Sequence, residues 1–323
     1  MHVLVCGGAG YIGAHAALAL ARAGHEVTVL DNLSTGHRAA VRWGRLVEAD
    51  LLQPRTLDAA FERPVDAVMH FCAHSLVDAS VRDPYAYYEN NVVGTLNLLQ
   101  AMRRHGVEQL VFSSSAAIFG HPQGARIDEA HPCAPISPYG ASKLMVERML
   151  ADAACAYGLR SVCLRYFNAA GAAAEEGIGE SHARETHLIP NTLRAALGRG
   201  PSLQIFGDDY DTADGTCVRD YVHVLDLADA HLRALTLMEQ TPGAHAFNLG
   251  NGQGFSVLQV LQAARAISGR QIDYTLAPRR AGDPATLVAS GDRARTVLGW
   301  QPRHATLDAM IGSAWRWHRA QAY

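Results

Sequence analysis

Residues Val5–His15 read VCGGAGYIGAH, and what precedes and follows this stretch decides the fold. Before its glycines, HVLVC (2–6) is a short, apolar, Val-rich run of the kind that forms a buried strand. After them, YIGAHAALALARAG (11–24) has the length and apolar period of a helix. Gly7, Gly10 and Gly13 form GxxGxxG at the junction, and from Gly8 the same residues read GxGxxG. Such glycines permit a tight strand-to-helix turn and a close approach of backbone to pyrophosphate. The helix start then offers N–H donors and positive potential. In this context the motif predicts a dinucleotide site.

The pattern repeats outward. EVTVL (26–30), RLVEA (45–49), DAVMHF (66–71), QLVFSS (109–114) and RSVCLRY (160–166) are short apolar runs, separated by longer segments such as YGASKLMVERMLADAACAYG (139–158). Apolar strands alternating with helices imply a parallel sheet covered on both faces, an α/β doubly wound (Rossmann) fold. After Phe167 the rhythm changes: NAAGAAAEEGIGE (168–180) reads as a loop and strands become sparse. The expected division is a dinucleotide-binding domain over 1–167 and a smaller α/β substrate domain over 168–323. Segment 221–246, with a helix over Tyr221–Met238, is expected to return to the first domain.

Asp31 ends the second strand 18 residues after Gly13, where a carboxylate accepts hydrogen bonds from ribose hydroxyls. Its charge would repel a 2′-phosphate, and DNLSTG places no arginine beside it, so NAD is favoured over NADP. Asp50 is placed either to reach the adenine edge or simply to close the third strand. A net charge of −3 leaves no electrostatic footprint for nucleic acid, and no apolar run is long enough to span a membrane. Six scattered cysteines without CxxC spacing suggest free thiols, and no charged leader precedes the first strand, so a cytoplasmic protein is expected. Sixteen histidines raise the question of a metal. His182 and His187 are five apart without HExxH, and DDYDTADGT fails the calcium-loop spacing at Ala213, so no metal site is expected.

SPYGASK (137–143) supplies an N-cap serine and a proline at the first helical position. Tyr139 and Lys143 then share one helix face with Cβ atoms about 5–6 Å apart. By itself the pair is either a phenolate-holding device or a solvated face.

Taken with SSSAAIFG (113–120), the glycine motif and YGASK resemble the extended short-chain dehydrogenase/reductase family. NNVVGT (90–95), RYFNAAG (165–171), THLIP (186–190), VRDYVHVLDLADAH (218–231), FNLGNG (247–252) and RRAGD (279–283) sharpen the resemblance toward its nucleotide-sugar 4-epimerases. The resemblance implies reversible C4 epimerisation of UDP-glucose and UDP-galactose through a 4-keto sugar, with bound NAD taking and returning hydride. It implies catalytic roles for Tyr139, Lys143 and Ser115. Tyr139 is the base, its pKa of about 10 lowered by Lys143 and the positive nicotinamide. Ser115 bonds the same sugar oxygen. The implied cofactor contacts are Gly7, Gly10, Tyr11, Ile12, Gly13, Asp31, Asn32, Asp50, Leu51, Phe71, Ala73, Asn90, Ser113, Tyr139, Lys143 and Tyr166. On the UDP-sugar side it implies Ser115, Tyr139, Asn168, His187, Leu188, Phe206, Arg219, Tyr221, Arg280, Asp283 and Leu287. Arg219 and Arg280 would clamp the diphosphate, Phe206 flank the uracil, Asp283 bind a ribose and Leu287 gate the C2 substituent. A homodimer through two helices per subunit is implied as well.

Ser75, Ala117 and Phe119 depart from the family pattern and could alter polarity around the sugar. Dehydratases and decarboxylases on this scaffold need an acid beside the catalytic serine, where this chain has Ala116 and Ala117. Epimerases of UDP-N-acetylhexosamines, UDP-pentoses or UDP-glucuronate are the alternatives within the class. A non-catalytic NAD-binding regulator is the alternative outside it.

Overall fold

The computed structural model describes residues 1–280 and 282–323. Its central sheet contains His2–Cys6 (β1), Glu26–Asp31 (β2), Arg45–Glu48 (β3), Ala67–His70 (β4), Gln109–Ser115 (β5), Arg160–Tyr166 (β6) and the strand Ala244–Leu249. All pair in parallel, in the order β3-β2-β1-β4-β5-β6 with Ala244–Leu249 outermost beside β6. The order reverses at β1, so the carboxyl ends of β1 and β4 border the crevice where doubly wound sheets bind ligands. This is the α/β fold that the sequence predicts.

Alternate residues of each strand enter opposite cores. Val3, Val5, Val29, Met69 and Val162 face Ala16, Ala17 and Leu20 of the helix Tyr11–Arg22, together with Leu227, Ala234 and Met238 of the helix Val224–Gln240. Leu4, Leu30, Val68, Leu110 and Phe112 face the helices Gly94–Arg104 and Pro138–Tyr157 through Leu98, Met102, Val146 and Leu150. Burial on both faces is why these strands read as unbroken apolar runs.

The expected helix start at Tyr221 is three residues too early. Tyr221–His223 forms a strand parallel to Asn168–Ala170, and the helix begins at Val224 behind His223, whose Nδ1 accepts from Leu225 N at 3.1 Å. The remaining strands are two to four residues long. Leu203–Phe206 pairs with Tyr274–Ala277, and Val218–Arg219 lies between Phe255–Ser256 and Thr286–Leu287. A third core joins the helices Leu188–Ala196, Val257–Ser268 and Leu307–Arg319 through Leu193, Leu261 and Ile311. Among the described residues, no helix is long and apolar enough to cross a membrane.

Candidate functional site

The turn after β1 is built so that only glycine fits. Gly7 has φ +82°, and a Cβ there would lie 2.8 Å from Cys72 N; a Cβ on Gly13 would lie 2.2 Å from the Gly7 carbonyl oxygen. Gly10 caps the helix Tyr11–Arg22 with no side-chain bond, and that helix has no acid in its first turn. Its positive end is therefore available to an anion. Tyr11 fixes the turn against the loop after β6 by donating its hydroxyl to Gly171 O at 2.6 Å.

Asp31 is buried at the end of β2 and accepts from Ala9 N at 3.0 Å and Leu33 N at 2.8 Å. Burial raises its carboxyl pKa, and these two donors oppose the rise. Each oxygen keeps a lone pair for a ribose hydroxyl. Leu33, just beyond, is the sole non-glycine with positive φ among the described residues (56°), a strained conformation for a branched side chain. Asn32 and Asp50 are brought together, with Asn32 Nδ2 donating to Asp50 Oδ2 at 3.0 Å; Leu51 is buried beside them. A cradle closed to any Cβ, an uncapped helix start and a carboxylate at the end of β2 fit a bound NAD.

The reactive groups lie at the carboxyl end of β5. Ser137 Oγ accepts from Gly140 N at 3.2 Å, Pro138 opens the helix, and Gly158 closes it in the left-handed conformation. Gly140 is required because the Ala117 carbonyl oxygen sits 2.2 Å from its notional Cβ. This contact lays the first helical turn against the segment after Ser115, whose Oγ accepts from Ala117 N at 3.1 Å. Lys143 is buried; its Nζ donates to Ser113 O at 2.7 Å and lies 5.9 Å from the Tyr139 ring centre. Burial lowers the Lys143 pKa to about 8.

Burial raises the Tyr139 phenol, and the nearby Ser115 hydroxyl pulls the other way. The ammonium is held on the Ser113 carbonyl, and Ser115 is the group that favours the phenolate.

Supporting contacts surround this centre, several of which the sequence did not reveal. Glu147, one turn beyond Lys143, pairs with Arg165 at 3.0 Å (Nε to Oε1) and accepts from Ser114 Oγ at 2.5 Å. Tyr88–Val93 forms a π-helical turn, a feature frequent at functional sites. It buries Asn91, which accepts from His74 N at 2.8 Å and donates to His74 O and Ser142 Oγ, both at 3.0 Å. Asn90 donates to Asn91 Oδ1 at 2.9 Å, and Ser113 Oγ is bonded to the Tyr166 hydroxyl. Phe71 follows β4 with its ring 4.8 Å from that of His231, and Ala73 precedes His74.

Of the residues expected on the UDP-sugar side, Asn168, Phe206, Arg219, Tyr221 and Leu287 lie in the short strands. Arg219 pairs with Asp283 and donates to Val218 O at 2.7 Å. Asp220 instead accepts backbone N–H groups of Asn251, Gly252 and Ala289 at 2.9–3.2 Å. Arg280 stacks on Phe206, 4.1 Å from the ring centre. Asn168 Nδ2 donates to Asp220 O at 2.8 Å, and Tyr221 is buried next in sequence. Leu287 pairs in register with Arg219 and packs with Phe167 on the Ala116, Ile118 and Phe119 cluster. Phe119 is 1% exposed and lies under the Arg165 guanidinium, so its ring is packed in this cluster.

His187 caps the helix that starts at Leu188, but its ring turns into a cluster with Glu180, His182 and Glu185. Burial disfavours its charged form, yet the two carboxylates hold its pKa up at about 10. Spacing in the sequence does not bring either glutamate to the two histidines; the folded loop does.

Residues 3–250 match the NAD dependent epimerase/dehydratase family. A UDP-glucose 4-epimerase of Halalkalibacterium halodurans is 49% identical over 320 residues, covering 99% of this chain and 96% of the relative. The structure superposes with a TM-score of 0.95 on a UDP-glucose 4-epimerase from Brucella ovis in complex with NAD, 47% identical over 97% of each chain. It superposes equally well, at 0.95, on a UDP-glucose-4-epimerase from Stenotrophomonas maltophila with bound NAD and formylated UDP-arabinopyranose. That chain is 41% identical, with 99% of this chain and 98% of the other covered. With family, sequence and fold in agreement over nearly its whole length, the chain belongs to the NAD dependent epimerase/dehydratase family.

Proposed function

We propose that this protein interconverts UDP-glucose and UDP-galactose by inverting C4, using NAD that is regenerated in each turnover. The observation that carries the reading is the 49% identity, over almost the full chain, with a relative named UDP-glucose 4-epimerase.

C4 of a hexose carries no activated C–H bond, so direct deprotonation is closed and the route runs through a 4-keto sugar. NAD, when bound, accepts hydride from C4 and returns it to the opposite face of the ketone. The phenol oxygen of Tyr139 takes the 4-hydroxyl proton and later gives it back. Ser115 bonds the same sugar oxygen and opposes the burial that holds the phenol protonated. Lys143, one turn on, supplies positive potential and a donor toward the cofactor. Gly7, Gly10, Tyr11, Ile12, Gly13 and Asp31 hold NAD, with Asn32, Asp50, Leu51, Phe71, Ala73, Asn90, Ser113 and Tyr166 around it. Arg219 and Arg280 clamp the diphosphate, the former sharing its guanidinium between phosphate and Asp283. Phe206 flanks the base, while Asn168, His187, Leu188, Tyr221 and Leu287 complete the sugar pocket.

In this reading residues 1–167, with 221–246, form the NAD-binding unit and the rest binds the UDP-sugar. The parallel pairing of Ala244–Leu249 with β6 supports that division. A homodimer in the cytoplasm is part of the proposal. Val77, Val81, Tyr85, Val93, Leu96 and Met145 are exposed on the helical segments that precede β5 and carry Tyr139, and they are suited to an isologous helical interface. Incubating the purified protein with UDP-galactose, UDP-N-acetylgalactosamine and UDP-arabinose, then separating the products, tests the reading. UDP-galactose should give UDP-glucose; no conversion of any of the three would refute it.

A further inference from the structure

The segment Glu180–His187 reads ESHARETH, and it folds so that the ligand atoms of four side chains gather in one cluster. His182 Nδ1 lies 3.4 Å from Glu180 Oε1 and 3.1 Å from Glu185 Oε2. His187 Nδ1 lies 2.9 Å from Glu180 Oε1 and 2.8 Å from Glu185 Oε1. All four ligand atoms fall within 4.8 Å of one another. We infer that Glu180, His182, Glu185 and His187 form a binding site for a divalent first-row metal ion, Zn²⁺ by ligand type.

The donor set is two imidazole nitrogens and two carboxylate oxygens. Zn²⁺ bound tetrahedrally at about 2.0–2.2 Å places its ligand atoms roughly 3.3–3.6 Å apart, so the N–O pairs, now 2.8–3.4 Å, would open by roughly half an ångström around the ion. Two separate ion pairs would give each imidazole its own carboxylate. Here each Nδ1 approaches both carboxylates, which is the arrangement of a shared cation. The glutamate side chains are only 7% and 3% exposed, so two anions are held close together away from water; the two imidazolium charges balance them, and a bound dication would replace those two charges as the Nδ1 protons are released to water. Four ligands from this chain close the coordination sphere, which marks a structural site.

Its position gives it a task. Trp317 Nε1 donates to Glu180 O at 2.8 Å, and the Tyr323 hydroxyl meets Gly179. The ion would clip the loop after β6 to the start of the helix Leu188–Ala196, next to the C-terminal helix. Metal on Nδ1 would also fix the His187 tautomer, leaving Nε2–H as a donor.

The test uses the full chain, purified without metal-affinity chromatography, stripped with a chelator and titrated with ZnCl₂. Mass spectrometry for metal after gel filtration should find one Zn²⁺ per chain, and Tm should rise on reloading. His182→Gln and, separately, Glu185→Gln should reduce retained Zn²⁺ to near zero while circular dichroism stays native. Co²⁺ in place of Zn²⁺ should give the strong visible absorption of a tetrahedral site. Stripped wild-type protein that takes up no Zn²⁺ would overturn the inference, leaving an ionic network only. So would both variants retaining one Zn²⁺ per chain.

Discussion

Replacing Lys143 by methionine removes a buried ammonium and keeps most of its apolar stem. Burial takes the pKa of this group from 10.5 to about 8 in the folded protein. At about 1.4 kcal/mol per pH unit, the charged lysine costs the fold about 3 kcal/mol. Methionine relieves that cost but loses the bond from Nζ to Ser113 O, a loss of about 1–2 kcal/mol. Lys143→Met should therefore be more stable than wild type by about 1–2 kcal/mol at pH 7, with epimerase turnover abolished. The sign with pH follows from a depressed folded-state pKa. The lysine's relative stability is fully present above pH 10.5 and is lost as pH falls through about 8. The variant's advantage should thus be complete below pH 8, shrink between 8 and 10.5, and reverse above. The Cys6 thiol does not feel Lys143 and cancels in the difference, whereas Cys72 and Cys163 lose a charge that eases their ionisation; burial pushes both thiols well above their ordinary range, so they stay protonated in both folded proteins. Urea unfolding of both proteins, freed of NAD and followed by tryptophan fluorescence from pH 7 to 10.5, measures it. A variant less stable at pH 7, or a difference flat across this range, would refute the reasoning.

Tyr139→Phe should keep UDP-sugar binding and lose turnover by roughly 10²–10⁴-fold, measured as kcat; near-normal turnover would mean another group takes the proton. Asp31→Ala should release NAD on gel filtration and relax the bias against NADP. It also strands the N–H groups of Ala9 and Leu33, so a loss of about 1–3 kcal/mol in unfolding free energy should accompany the change. Leu287→Ser should raise kcat/KM for UDP-N-acetylgalactosamine with little change for UDP-galactose, and Leu287→Tyr should abolish the former. A steric gate of this kind discriminates by about 1–3 kcal/mol, and an unmoved ratio of the two activities would remove Leu287 from that role.

The strands, the glycine turn and the capped helix at Ser137 are legible in the sequence because each is a local signal. Strand period, glycine spacing and an N-cap followed by proline need no distant partner. What stayed hidden depends on residues far apart. Ala244–Leu249 includes His245 and Asn248 and joins the sheet only through its pairing with β6. Tyr221–His223 is a strand because Asn168–Ala170 lies beside it. Phe119 looked like a pocket residue, and Arg165 and Ile127 make it a core residue. At the candidate site, the spacing of Tyr139 and Lys143 puts them on one helix face, but only the resemblance carried by the neighbouring motifs gives the pair a role. The hold of Ser113 O on the ammonium was not readable, since it depends on how the helix lies against β5. Glu180 and Glu185 belong to no known spacing motif, and only the folded loop turns them toward His182 and His187.

The central claim is that hydride leaves C4 and returns to it within one turnover. UDP-galactose carrying deuterium at C4 should be converted, with no added NAD, to UDP-glucose that keeps the deuterium at C4. Conversion with loss of the label to water, or no conversion by NAD-containing protein, would contradict the account.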